Sequence, residues 1–172
     1  MKKEAKKNIH QSMIRLLDQY PYETLTITRI CQETHISRQA FYLYYRSKDD
    51  LIKEVYINIL ESTFLSNSSD ESYFQSDAFI DHVIDVYDKH SALFISLEKW
   101  YVSSYLSKEK KRIIEKIPAQ DFKDPYINKY SHYYLVSILS PLHYIMLHWL
   151  YNNKKETKQE LKDIIKKFIY HK

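Results

Sequence analysis

Residues Thr26–Leu51 read TITRICQETHISRQAFYLYYRSKDDL, and this stretch decides the fold. Thr26 is a good helix cap, and Ile27, Ile30 and Cys31 behind it make one apolar face. Thr34, His35 and Ile36 form a tight turn with Ile36 as its buried plug. Ser37 caps a second short helix in which Ala40, Phe41 and Tyr45 point inward. Ser47 then opens a further helix in a capping box with Asp50, and Leu51, Val55 and Ile59 continue its apolar face. Two short helices meeting at a tight turn constitute a helix-turn-helix.

Upstream, Ile9, Met13, Leu16, Leu17 and Tyr20 recur at helical spacing and predict a helix over about Lys3–Gln19, stopped by Pro21. Downstream, the polar, serine-rich run Ser66–Asp77 marks the boundary between two functional parts. Amphipathic helices are expected around Phe79–Lys89 and Ser91–Tyr105, and a charged one around Ser107–Ile117. After a break at Pro118–Pro125, a long apolar helix is expected over Tyr126–Tyr151, kinked at Pro141. The last helix, Lys158–Tyr170, takes Thr157 as its cap and Leu161, Ile164, Ile165 and Phe168 as its stripe. The fold class is all-α, with a DNA-binding part over residues 1–60 and a helical regulatory and dimerisation part over 61–172.

Composition narrows the function. The chain of 172 residues has no glycine, which excludes phosphate-cradling loops and dinucleotide fingerprints that need close backbone approach. No nucleophile, base and orienting acid stand together, so an enzyme is not expected, and no cofactor is implied. The net charge is +4, of which +3 lies in residues 1–60, where the helix-turn-helix sits. A single cysteine, Cys31, suits a reducing cytosol. The apolar stretch Tyr133–Tyr151 is interrupted by Ser137, Ser140, Pro141, His143 and His148, so a bundle helix is expected rather than a membrane span.

A helix-turn-helix sets its second helix in the DNA major groove. Arg38 and Gln39, in the first turn of that helix, suit guanine and adenine edges respectively, and Ala40 is small enough for close approach or a thymine methyl. Tyr44 is placed for a base or a phosphate, while Thr26, Thr28 and Ser37 offer hydroxyls or backbone N–H groups. Lys48, at a helix N-terminus, joins its ammonium to the helix dipole for a phosphate.

The pattern Thr26, Ile30, Ser37, Phe41, Tyr42, Tyr45, Ser47, Lys48 and Leu51 resembles the DNA-binding domain of TetR/AcrR-type transcriptional regulators. The resemblance implies a phosphate contact for the Tyr42 hydroxyl, a homodimer on a palindromic operator, and a regulatory domain whose ligand changes the spacing of the recognition helices. Two positions depart from the pattern. Cys31 replaces a usual alanine, and Thr34-His35 replaces a small residue followed by glycine. Either the turn is strained at His35 or its geometry differs.

For the effector, the aromatic and apolar residues Phe94, Leu97, Trp100, Tyr101, Tyr105, Tyr133, Tyr134, His143 and Tyr144 are the candidate pocket lining. For the dimer interface the candidates are Leu142, Ile145, Met146, Trp149, Leu161, Ile165 and Phe168. The expected protein is a cytoplasmic, ligand-released repressor that binds double-stranded DNA as a homodimer and no membrane. The alternative is a regulator or interaction module of the same fold governed by a protein partner, or by a metal held among His82, Asp85, His90, His132, His143 and His148.

Overall fold

The computed structural model describes residues 2–65, 73–100, 111–117 and 124–170, and among them every regular element is helical. In chain order these are α1 (Lys2–Gln19), α2 (Ile27–Thr34), α3 (Arg38–Tyr42), α4 (Lys48–Leu65), α5 (Asp77–Lys89) and α6 (Ser91–Trp100). Then come α7 (helical residues 111–116), α8 (Pro125–Lys129), α9 (Ser131–Tyr151) and α10 (Lys158–Ile169).

Local chemistry sets most of these boundaries. Thr26, Ser37, Ser76 and Thr157 each accept a hydrogen bond from the backbone N–H three residues on, satisfying one of the donors a helix start leaves open. Thr157 does so within a full capping box, its own N–H donating to Glu160 at 2.8 Å. Asp124 caps α8, with Pro125 in the first turn, where a missing N–H costs nothing.

The α1 stripe is buried as expected: Ile9, Met13, Leu16 and Leu17 face α2, α4 and α6. Phe41 and Tyr45 close the small N-terminal core, although α3 itself ends at Tyr42. Behind it, α5 packs against α4, α6, α9 and α10, and its Phe79, Ile80, Val83, Ile84 and Tyr87 are all buried. Phe74 and Phe79 meet edge to face at 5.2 Å between ring centroids, with Tyr73 and Phe64 beside Phe79. Every buried hydrophobic residue belongs to one continuous core that runs from α1 to α10.

One expectation about the last third is corrected. The run Tyr126–Tyr151 is not one helix. It breaks at Tyr130, whose backbone (φ −117°, ψ 29°) caps α8 before α9 restarts at Ser131. Pro141 lies inside α9; the proline is exposed, so the Ser137 carbonyl it leaves without a helical donor lies on the solvent side of the helix. Helix α4 runs unbroken through residue 60, up to the serine-rich stretch that begins at Ser66.

The α5–α10 contact carries a feature that the sequence reading missed. Asp77, Asp81, Asp85 and Asp88 on α5 face Lys166, Lys162, Lys158 and Lys154 at the C-terminal end. Lys162 and Lys158 each bridge two aspartates, so the rungs interlock. Paired hydrogen bonds from lysines hold the Asp77 and Asp88 carboxyls below their ordinary range, and bonds to Asp85 and Asp88 push Lys158 up to about 12.

Candidate nucleic-acid interface and cavity

The turn between α2 and α3 has the geometry that a glycine would favour. His35 is left-handed (φ 54°, ψ 37°), its N–H donates to Gln32 O at 3.2 Å, and Ile36 N–H reaches back to Cys31 O at 3.0 Å. This is the Schellman arrangement, with Ile36 packed on the core as its apolar partner. Of the two readings of Thr34-His35, strain is therefore the one observed. Thr34 is buried and its hydroxyl donates to Ile30 O at 2.8 Å.

Beyond the turn, Ser37 Oγ accepts from Ala40 N–H at 3.0 Å and starts α3. Arg38 and Gln39 are exposed, Ala40 is half-buried, Tyr42 is exposed and Tyr44 is half-buried against the core. Leu43, which the sequence reading passed over, is 77% exposed between the two tyrosines. Its signal was there in the run Tyr42-Leu43-Tyr44-Tyr45, a leucine with no inward register. Thr26 and Thr28 are exposed at the start of α2, where Arg29 stacks over the Tyr20 ring at 3.7 Å. Arg38, Gln39 and Tyr42 thus occupy the solvent side of one short helix, with Leu43 at its C-cap and the α2 start beside it.

Lys48 differs from its expected role. Its ammonium is turned back, donating to the carbonyls of Tyr22 (2.9 Å), Leu25 (2.8 Å) and Glu23 (3.4 Å), and it lies 4.4 Å from the Tyr22 ring centroid. The neighbouring Asp49 carboxylate accepts from the Tyr22 hydroxyl. Lys48 and Asp49 together clamp the 3-10 turn Tyr22–Thr24 to the start of α4. A lysine spending its donors on backbone carbonyls positions the helix instead of reaching outward.

A second clamp joins α1 to α4 under the recognition helix. Tyr45 hydroxyl and His10 Nε2 are 2.7 Å apart, Asn58 reaches His10 Nδ1 at 3.2 Å, and Lys6 donates to Glu54 at 2.8 Å. Burial lowers the His10 pKa against the opposing pull of Glu54, and burial raises that of the Tyr45 phenol. Both groups are therefore neutral near pH 7, and their contact is a hydrogen bond between neutral partners beside the Lys6–Glu54 ion pair.

A cavity of about 350 Å³ opens where the other half of α4 meets α5, α7 and α9. Tyr56, Leu60 and Phe64 of α4 form one wall, at the i, i+4, i+8 spacing of a single helix face. Tyr87 of α5 shares a hydrogen bond with His143 Nδ1 of α9 and stacks on Phe94 at 3.9 Å. Of the expected lining residues, His143 and Tyr144 do border this cavity. Phe94 and Leu97 are core residues instead, packed beneath Tyr87 and α9. Tyr133 is 73% exposed and, with Tyr134, borders a separate shallow groove beside Tyr126 and Tyr130. The Trp100 side chain and residues Tyr101 and Tyr105 lie outside the described residues.

The expected interface residues are largely spoken for within the protomer. Leu142, Met146, Trp149, Leu161 and Ile165 are buried in its own core, because α9 and α10 use those faces to pack on α5 and α6. Ile145 is half-buried and Phe168 is 68% exposed. What α9 does expose is another stripe, Tyr133, Ser137, Ser140, Pro141, Tyr144, His148 and Tyr151, with no Lys, Arg, Asp or Glu in it. Among the described residues no group of three His, Cys, Asp or Glu side chains could hold a metal ion. Asp85, a metal candidate in the sequence, is paired with Lys158. Among them, too, no helix is long and apolar enough to cross a membrane.

Comparison with known proteins agrees with this geometry. Residues 13–55 match the family described as bacterial regulatory proteins, tetR family. Among solved structures the chain is similar to the dihydroxyacetone kinase operon activator DhaS, with a TM-score of 0.67 at 14% identity, covering 97% of this chain and 94% of that one. No curated protein matches by sequence. The match spans the end of α1 through the first turns of α4, the clamped helix-turn-helix described above, and these residues form a TetR-type DNA-binding domain.

Proposed function

We propose that the chain is a homodimeric, operator-binding repressor released by a small-molecule effector. The observation that carries this reading is the double use of α4. Its first turn anchors the helix-turn-helix through Lys48 and Asp49, and its later turns supply Tyr56, Leu60 and Phe64 to the cavity. Lys48 and Leu60 are twelve residues apart on one continuous helix, about 18 Å along its axis. A molecule wedged against Leu60 tilts a rigid rod whose far end holds the recognition helix. A coupling of about 1–3 kcal/mol lowers operator affinity roughly 5- to 150-fold on this scheme.

In this reading Arg38 and Gln39 meet guanine and adenine edges, and Ala40 and Leu43 face thymine methyls. Tyr42, Tyr44, Ser37, Thr26 and Thr28 meet phosphates, and Lys48 acts as a positioning residue. The exposed α9 stripe with Phe168 of α10 is the dimer face. It runs about 27 Å along α9. An uncharged stripe carrying three tyrosines, with Phe168 beside it, supports its use as an interface.

Selection of bound sequences from random DNA tests the reading. A palindrome with half-sites about one helical turn or a multiple apart is expected. Tyr42→Phe should weaken every sequence alike, whereas Arg38→Ala should relax one base position at a cost of roughly 1–3 kcal/mol. Recovery of no repeated half-site, or binding unaltered in both variants, sinks the assignment.

A further inference from the structure

The cavity has a chemical sign as well as a size. Its described lining includes no carboxylate; the ionisable side chains are Lys111, His132, His143 and tyrosines. The polarity is also ordered in depth. Leu60, Phe64 and Leu139 lie buried at the floor, and Lys111 and Tyr144 are exposed at the rim, with His132 half-buried between. Among the described residues Lys111 meets only the loose pair with Glu115 one turn on, at 3.8 Å, and none of them draws its ammonium tightly away from the mouth.

From this arrangement we infer that the cavity takes a small amphipathic anion. An apolar or aromatic body sits against Leu60, Phe64 and Leu139, and a carboxylate faces Lys111 and His132 at the rim. A cationic head would meet Lys111 with no described carboxylate in the lining to compensate it. A neutral head would gain only the hydroxyls and imidazoles. At about 350 Å³ the cavity lies near the small end of ligand pockets, which suits a compact acid over a long acyl chain. This inference rests on the proposed effector role of the cavity.

The test is calorimetric titration of the full chain with a matched trio: 4-phenylbutyrate, 4-phenylbutan-1-ol and 4-phenylbutylamine. The carboxylate is expected to bind about fivefold tighter than the alcohol, with the amine weakest. A Lys111→Gln/His132→Gln double variant should bind acid and alcohol alike, its helical content unchanged by circular dichroism. Equal binding of acid and alcohol to the unaltered chain, or a preference that survives the double variant, overturns the anion assignment and leaves the cavity as an effector site. Binding of none of the three overturns the effector reading and this inference together. Binding of the acid as expected, with operator affinity unchanged, supports the anion assignment and refutes release as the mode of control.

Discussion

Replacing His35 by glycine should make this protein more stable. His35 holds a left-handed backbone (φ 54°, ψ 37°) at the end of α2, and its side chain is exposed. A residue with a Cβ gives up about 1–2 kcal/mol in that region. Glycine recovers this, but it also frees the unfolded chain, which offsets roughly 0.4–1 kcal/mol. The net gain is about 0.5–1 kcal/mol. For a chain of 172 residues a change of 1 kcal/mol moves the midpoint by roughly 2–4 °C, so His35→Gly should melt about 1–4 °C higher. The assay is urea and thermal denaturation of the His35→Gly, His35→Asn, His35→Ala and His35→Val variants. Because the turn bonds from His35 and Ile36 N–H are backbone bonds, all four can keep them. The expected order is Gly first, Asn near the parent, then Ala, with Val last, since a β-branched residue is the worst occupant of this region. A glycine variant no more stable than alanine would refute the claim that backbone strain resides at His35.

Other outcomes follow from the same geometry. Lys48→Met removes three charge-assisted bonds to carbonyls and should cost about 1–3 kcal/mol in denaturant titration; an unaffected midpoint would show that the clamp carries no weight. The lysine–aspartate ladder sets a pH window. Asp77 and Asp88 have lowered folded-state pKa values, so their contribution is complete above the ordinary carboxylate value of about 3.9 and is lost as the pH falls through the lower folded values. Lys158 is raised, so its contribution is complete below the ordinary lysine value of about 10.4 and is lost as the pH rises through about 12. Hydrogen exchange in α10 should therefore rise below pH 4, and an Asp77→Asn/Asp88→Asn variant should flatten that acid limb; an unchanged limb would place the acid sensitivity elsewhere. Ser137→Glu puts a charge in the middle of the exposed α9 stripe and should give a folded monomer by light scattering, whereas a persistent dimer would move the interface off that stripe.

How much was legible depended on how local the cause was. Caps and stripes are written within a few residues, so Thr26, Ser37, Thr157 and the α1 face were readable in advance. So was the tension at His35, because a left-handed turn penalises any Cβ wherever it occurs. The faces of α9 were not readable, since apolar and aromatic residues surround that helix. Only the positions of α5, α6 and α10 decide that Leu142 and Met146 go inward while Tyr133 and Tyr144 go out. Lys48 was misread for a related reason. Its position at a helix start implied an outward phosphate ligand, but the carbonyls that capture it come from a turn more than twenty residues earlier. The α5–α10 ladder was visible as two series of opposite charge at three- to four-residue spacing, and pairing them required knowing that the two helices lie side by side.

The continuity of α4 also bears on modularity. The serine-rich stretch after residue 65 looks like a natural seam for cutting the reader from its sensor. A cut just ahead of that seam carries Tyr56, Leu60 and Phe64 away with the reader and strips one wall from the cavity. A graft of this DNA-binding unit onto a foreign regulatory body must therefore rebuild that wall from the new partner's side. On the proposed reading, reader and sensor share one piece of helix, so specificity for DNA and for an effector would travel together rather than as separate parts.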